Sequence, residues 1–134
     1  MKYAIAAVVL FASASACAGN WIEVYHDPDA GPSFYVKPSS IRRSGEMQLA
    51  WVEYKLTVAR QSPLGDGKLF VRMAAKLEFD CKNETSRFVS SILYDVSGAP
   101  IGTTHLKRDQ TTADPDVPNS AGHSVLQYIC SHQR

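Results

Sequence analysis

Apolar and polar residues alternate strictly along residues 69–81, the clearest hydrophobic pattern in the chain. A period of two residues is typical of a β-strand, because successive side chains point to opposite faces of a sheet. One set of alternate positions is apolar and ends at a cysteine: Leu69, Val71, Met73, Ala75, Leu77, Phe79 and Cys81. The other set is more polar: Phe70, Arg72, Ala74, Lys76, Glu78 and Asp80. The pattern predicts a strand with its first face packed on a core and its second face in water.

Further strands are predicted on both sides of this one. They have the composition of β-structure and cover residues 21–25, 33–36, 47–60, 87–96 and 101–106. The segments between them are rich in Gly, Pro, Ser and Asp, which predicts turns and loops. Residues 37–46 are predicted to be one such turn, with Gly45 at its tight point. Residues 47–60 carry apolar side chains on both faces, so we expect part of each face to be covered.

A C-terminal helix follows a polar segment at residues 107–119, which predicts a long loop. Apolar residues then recur with the spacing of one helix face: Ala121, Val125 and Ile129. Asn119 or Ser120 has a side chain suited to capping the start of this helix. Gly122 lies within it and is expected to weaken it, because glycine has a low helix propensity.

The order of these elements, several strands and then one helix, predicts an α+β fold. We expect an antiparallel β-sheet of about five to six strands with the C-terminal α-helix packed on its apolar face. The chain has 134 residues, which is the size of one domain.

The first residues have the three-part organisation of a secretory signal peptide. Lys2 provides positive charge, residues 3–11 are nearly all apolar, and residues 12–18 are mostly small. An apolar segment this short does not span a bilayer permanently. We therefore expect residues 1–18 to be a signal peptide and residues 19–134 to form the single domain.

The three cysteines need an explanation in an exported chain. Two routes are open for Cys17: cleavage after Ala18 removes it, or lipoprotein processing leaves it as the lipid-bearing first residue. In either case Cys81 and Cys130 are the thiols of the folded part, and an oxidising compartment favours a disulfide between them. Such a bond closes a loop of about fifty residues and contributes about 4 kcal/mol to stability.

Catalytic chemistry is not indicated by the sequence, which contains no hydrolase, metalloprotease or phosphate-binding motif. His26, Asp27 and Asp29 offer ligands for a cation, but a solvated turn is the favoured interpretation of this segment. The net charge of +1 provides no basic excess for binding nucleic acid. We therefore expect no enzymatic activity, no metal, no cofactor and no nucleic acid partner.

Aromatic and arginine side chains are the candidates for a partner-binding surface, because they dominate the energetics of protein interfaces. Trp21 and Trp51 are predicted to lie in the core, where large aromatic residues bury much surface. Two tyrosines fit a core or a surface position equally well, and a solvated surface is the alternative for an arginine pair. The candidate partner-binding residues are Tyr35, Arg42, Arg43 and Tyr54.

Five short motifs occur along the chain in a specific order. They are WIEV at residues 21–24, FYVKPSSIRRSG at 34–45, LEFDC at 77–81, VPNS at 117–120 and LQYIC at 126–130. In this order they resemble the surface-adhesin protein E family, whose members are small exported proteins of Gram-negative bacteria. The resemblance covers nearly the whole mature chain. It implies an antiparallel sheet with a C-terminal helix and a disulfide between Cys81 and Cys130.

The resemblance also implies a function, because a member of this family is an outer-membrane lipoprotein adhesin that binds host matrix proteins and forms dimers. We expect an exported, non-enzymatic envelope protein that binds another protein, with a homodimer as one arrangement. Its expected location is the periplasm, the outer membrane or the cell surface, and membrane attachment requires lipidation of Cys17. The alternative is a periplasmic binding or inhibitor module that acts on an envelope enzyme.

Overall fold

The computed structural model describes residues 20–133, so the expected signal peptide and Cys17 lie outside the described residues. The strands are β1 (Ile22–His26), β2 (Ser33–Val36), β3 (Arg42–Ser44), β4 (Met47–Gln61), β5 (Leu69–Asp80), β6 (Thr85–Tyr94), β7 (Pro100–His105) and β8 (Asp114–Pro115). The helices are two short 3-10 helices, Pro38–Ser40 and Arg108–Gln110, and the α-helix α1 (Ala121–Ser131). Within residues 20–133, no helix is long and apolar enough to cross a membrane.

The strands form one curled antiparallel sheet with the order β1-β2-β4-β5-β6-β7. This sheet and the C-terminal α-helix confirm the predicted α+β fold. Two short strands were not predicted: β3 pairs with the start of β4, and β8 pairs with the start of β6. The first replaces part of a predicted turn, because Gly45 adopts a φ of +62° and so permits a tight hairpin. The second lies in the predicted long loop.

The core lies between α1 and one face of the sheet, which we call the helix face. The buried core residues come from alternate strand positions, from the end of the first 3-10 helix and from one side of α1: Val36, Ile41, Ala50, Val52, Phe79, Val125, Leu126 and Ile129. Phe79 belongs to the face of β5 that its alternation predicted to be packed. Burial of these side chains removes apolar surface from water, which is the main favourable term in folding.

Ser120 and Cys130 hold the two ends of α1. The Ser120 hydroxyl accepts a hydrogen bond from the His123 backbone N–H at 3.2 Å, which caps the first turn. Cys130 is bonded to Cys81, which directly follows β5, with the two Cα atoms 5.6 Å apart. The predicted disulfide is therefore present, and it joins the helix to the end of the sheet.

The first half of β5, residues 69–74, departs from the predicted pattern of one buried and one exposed face. Phe70 and Ala74 are only 8% and 6% exposed, although alternation placed both on the wet face. Leu69, on the predicted core face, is 52% exposed. Near its start, β5 therefore has no simple inner and outer face, and the prediction is wrong for these three residues.

The cause of this departure is a bulge and a curl in the β4–β5 hairpin. The register between the two strands shifts between Lys55 and Arg60, so that extra residues of β4 protrude. A bulge bends its strand and increases the local twist. The turn that closes the hairpin folds back toward β7, where the Leu64 side chain occupies the position that a Cβ atom of Gly102 would take.

Neither tryptophan belongs to the buried core. Trp21 precedes β1 and Trp51 lies in β4, and both are partly exposed. The predicted core position is wrong for Trp51 because its neighbours Ala50 and Val52 point toward the helix. Alternation along the strand turns Trp51 to the opposite face.

Candidate functional site

The sheet has a second face, opposite α1, which we call the open face. Strand register and alternation place its side chains. Tyr35 pairs with Glu53, Lys55 with Arg72, and Trp51 with Lys76 across neighbouring strands. The aromatic and charged residues of this face are Glu23, Tyr35, Arg42, Trp51, Glu53, Lys55, Arg72, Lys76, Glu78, Arg87 and Tyr94. The open face is therefore rich in aromatic rings and cations.

Glu53 is the buried centre of this face, with only 2% of its surface exposed. One carboxylate oxygen lies 2.9 Å from Arg72 Nη1, and the other lies 3.2 Å from Lys55 Nζ. Burying a carboxylate without partners is costly, and the two cations compensate for that cost. In return the carboxylate fixes the positions of two long, otherwise mobile side chains.

Each of these cations also lies against a tyrosine ring. Lys55 Nζ is 4.5 Å from the centre of the Tyr35 ring, and the Arg72 guanidinium carbon is 3.8 Å from the centre of the Tyr94 ring. Cations over aromatic faces are attracted by the ring quadrupole. These five residues form a continuous line across four strands, which we call the central row: Tyr35, Lys55, Glu53, Arg72 and Tyr94. At one end of the row the Tyr35 hydroxyl donates to Glu23 at 3.1 Å.

A cavity of about 210 Å³ lies beside the central row. It is lined by Ser39, Ser40, Arg42, Ala50, Trp51 and Lys76. The Ser40 hydroxyl donates to the Lys37 carbonyl at 2.6 Å and accepts from the Trp51 backbone N–H at 2.9 Å. These bonds attach the 3-10 helix to β4 and so keep the cavity wall in place.

A second charged cluster holds the loop after β7 on the sheet. Glu78 lies 3.1 Å from Arg108 and 3.9 Å from Arg87. Arg87 also donates to the backbone carbonyls of Arg108 and Thr111. These cations are used within the protein, so this cluster has a structural role.

The structure places the four binding residues predicted from the sequence on two different faces of the sheet. Tyr35 and Arg42 lie on the open face, whereas Tyr54 lies on the other side with its ring 5.1 Å from that of Phe34. Arg43 points away from the open face as well, and its Nε donates to the Gly45 carbonyl at 2.9 Å. The sequence did not identify Lys55, Glu53 or Tyr94 as candidates. The pairing of β4, β5 and β6 brings them together, and no local pattern reveals that pairing.

The loop that offered cation ligands is an Asx turn. Asp27 Oδ1 accepts a hydrogen bond from the Asp29 backbone N–H at 2.8 Å. His26 Nδ1 lies 2.8 Å from the Ser33 hydroxyl and 3.4 Å from Glu23. Among residues 20–133, no group of three or more His, Cys, Asp or Glu side chains is arranged to hold a metal ion.

A third polar group lies at the start of α1. The Ser86 hydroxyl donates to Asp116 Oδ1 at 3.3 Å, and Oδ1 lies 2.9 Å from the position of a Cβ on Gly122. Burial raises the pKa of Asp116, while the Ser86 hydrogen bond and the charge of His123 act in the opposite direction. Within the described part of the chain, Asp116 Oδ2 and His123 Nδ1 are buried without a hydrogen-bond partner. Gly122, expected only to weaken the helix, gives this carboxylate room to approach.

Comparison with known proteins gives one family. The family model described as surface-adhesin protein E matches residues 21–131. A search of curated protein sequences finds no match to the chain.

Solved structures of Haemophilus influenzae protein E have a similar fold. The structure in crystal form II is 14% identical in sequence, with a TM-score of 0.61, over 85% of this chain and 88% of that one. A crystal structure from non-typeable Haemophilus influenzae has a TM-score of 0.57 at 14% identity, over 85% of this chain and 76% of that one. At this identity the similarity shows a common fold.

Proposed function

Because this chain belongs to the surface-adhesin protein E family, we propose that it is an exported, non-enzymatic surface protein that binds another protein through its open face. Host matrix proteins are the first candidates for the partner, because the family is one of adhesins. The family and the shared fold support an adhesin-like surface role. The aromatic rings and cations of the open face support its assignment as the binding surface.

The observation that most supports this surface is that the side chains of the central row are held in place by one another. Tyrosine and arginine are enriched among the residues that contribute most to binding energy at interfaces. In this row Lys55 and Arg72 are held by the buried Glu53 and lie against Tyr35 and Tyr94. Side chains that are already ordered lose less conformational entropy on binding, which favours affinity.

Substitution of Tyr35 and Arg42 tests the proposal, because both lie on the open face, Arg42 exposed and Tyr35 partly exposed. We expect the double variant Tyr35→Ala/Arg42→Ala to bind immobilised matrix proteins at least about tenfold more weakly than the parent. Arg43→Ala is the matched control, since Arg43 is a neighbouring exposed arginine that faces away from this surface. Equal binding by the double variant and the parent, with unchanged thermal unfolding, would contradict the open face as the binding surface.

We also propose that the chain is exported and that Cys17 is either removed or lipidated. The intact mass of the native protein, measured separately in periplasmic and outer-membrane fractions, distinguishes these two routes. A soluble product that begins at Gly19 favours the periplasmic binding or inhibitor module over the adhesin. A membrane product that begins at lipid-bearing Cys17 favours surface display. The molecular mass of the assembly in the same samples determines whether a homodimer forms.

A further inference from the structure

We propose that the cavity between Arg42, Trp51 and Lys76 binds a carboxylate side chain from an acidic segment of a partner protein. This inference rests on the proposed function of the open face and specifies the chemistry of the partner at that face. The three side chains are adjacent through strand register. Lys76 pairs directly with Trp51, and Arg42 pairs with Leu49, two residues before Trp51.

Arg42 and Lys76 differ from the other cations of the open face in having no partner among the described residues. Lys55 and Arg72 share Glu53, and Arg87 lies beside Glu78. Within residues 20–133, by contrast, the side chains of Arg42 and Lys76 have neither an ion pair nor a hydrogen bond. Two unpaired cations that line the same cavity favour the binding of an anion there.

The cavity offers the contacts that a carboxylate uses. The Arg42 guanidinium has the planar geometry for two parallel hydrogen bonds to a carboxylate, and Lys76 adds a compact positive charge. The hydroxyl of Ser39, at the rim, is an additional donor. The indole of Trp51 provides an apolar surface for the carbon chain of a glutamate or for the next residue of the partner.

The charges around the cavity favour a protein segment over a long polyanion. Glu23, Glu53 and Glu78 are on the same face as Arg42 and Lys76. A nucleic acid or a highly sulfated chain presents negative charge at every repeat. On this face Lys55, Arg72 and Arg87 are already paired with Glu53 and Glu78, so such a chain would find few cations left to contact. An acidic polypeptide places a carboxylate at one position and neutral or apolar side chains at the next, so it needs unpaired cations at the cavity alone.

The test uses synthetic peptides and NMR of the isotope-labelled mature protein. The first probe is an extended peptide with Glu alternating with Thr and with both ends blocked, and its control has Gln in place of Glu. A third, neutral peptide carries a free C-terminal carboxylate, so the two sources of a carboxylate are separated. Inorganic phosphate is the fourth probe. We expect the Glu peptide to shift the Trp51 indole N–H signal and the amide signals of Ser39 and Lys76.

The variants Arg42→Gln and Lys76→Gln are each expected to weaken binding of the Glu peptide about tenfold. Lys68→Gln is the matched control, because Lys68 is an exposed lysine in the turn before β5. Binding that is equal for the Glu and Gln peptides, or unchanged in both cavity variants, overturns the proposal. Preference for the C-terminal carboxylate or for phosphate over the Glu peptide also overturns it.

Failure of this inference is distinguishable from failure of the proposed function. Loss of matrix-protein binding in Tyr35→Ala, together with normal binding in Arg42→Gln and Lys76→Gln, retains the open face and rejects the cavity. The reverse result is binding of the Glu peptide at the cavity while Tyr35→Ala/Arg42→Ala still binds the whole partner. That result retains the cavity and rejects the open face as the surface for that partner.

Discussion

Arg72 Nη1 donates to Glu53 Oε2 at 2.9 Å, and this contact connects the central strands of the sheet at the middle of the open face. Glu53 is almost fully buried, whereas 30% of the Arg72 side chain is exposed. The pair therefore compensates the buried charge of Glu53 and leaves part of the Arg72 side chain accessible. A carboxylate under the sheet surface holds an arginine in place at that surface, where a partner can reach it.

We expect Arg72→Met to lower the free energy of unfolding by about 2 kcal/mol, because it leaves the buried Glu53 with Lys55 as its remaining partner. Lys55→Met removes the more exposed cation and should cost less than about 1 kcal/mol. Urea unfolding of both variants measures the difference. Equal costs for the two variants would show that Arg72 is not the main partner of Glu53.

The disulfide is expected to contribute much of the stability of this small domain. The cysteines are separated by 49 positions, and Cys81→Ser/Cys130→Ser should lower the free energy of unfolding by about 4 kcal/mol. The comparison is made by urea unfolding of the parent, the double variant and the parent after reduction. Agreement between the last two supports an effect of the bond itself, and a cost near zero argues against it.

Gly122→Ala should stabilise the helix by less than the usual amount of about 1 kcal/mol. The reason is that the added Cβ would lie 2.9 Å from Asp116 Oδ1, which is also hydrogen-bonded to Ser86. In an Asp116→Ala background that obstacle is absent and the full gain should appear. Thermal unfolding of the two single variants and the double variant measures this coupling. Identical gains in both backgrounds would exclude it.

Asp116 should make the protein less stable as the pH rises. Burial raises its folded pKa above the ordinary value of 3.8, so the protonated form is the better fit in the folded state. Its contribution is present below the unfolded pKa and is lost as the pH increases through the folded pKa. Asp116→Asn should therefore be more stable than the parent at pH 7, with the difference closing below about pH 3.8. A pH-independent difference would contradict this account.

Asp95 should show the opposite pH dependence. Hydrogen bonds from the Ser97 hydroxyl and the Ala99 backbone N–H lower the pKa of Asp95 from its ordinary value of 3.8. The stabilisation is present above the unfolded pKa and is lost as the pH falls through the folded pKa. Asp95→Asn should be less stable than the parent at pH 7 and converge with it in acid. Unfolding measured between pH 2 and pH 7 gives both curves, and curves of the same sign for the two aspartates would be inconsistent with these pKa shifts.

The sequence predicted the elements of the fold because local spacing carries their signal. Alternation along residues 69–81 indicated β5, four-residue spacing indicated α1, and the remaining two thiols indicated the disulfide. The same reasoning failed for Phe70, which is buried, and for Leu69, which is exposed, because their exposure depends on a bulge and on the curl of a hairpin. A strand pattern assumes a flat sheet with two uniform faces, and this sheet is neither flat nor uniform.

By itself the sequence determined the fold class, the helix and the cysteines that pair, since each depends on residue types at short spacings or on a small set of alternatives. It limited the helix cap to Asn119 or Ser120, and the structure shows that Ser120 is the cap. The tertiary structure decided that Tyr35 and Arg42 share a face while Arg43 and Tyr54 do not. It also placed Glu53, Lys55 and Arg72 in one row and left Arg42 and Lys76 unpaired around Trp51 within the described residues. These relationships arise between strands distant in the chain. They depend on register and on the face that the helix covers, which are set by the packing of the whole domain.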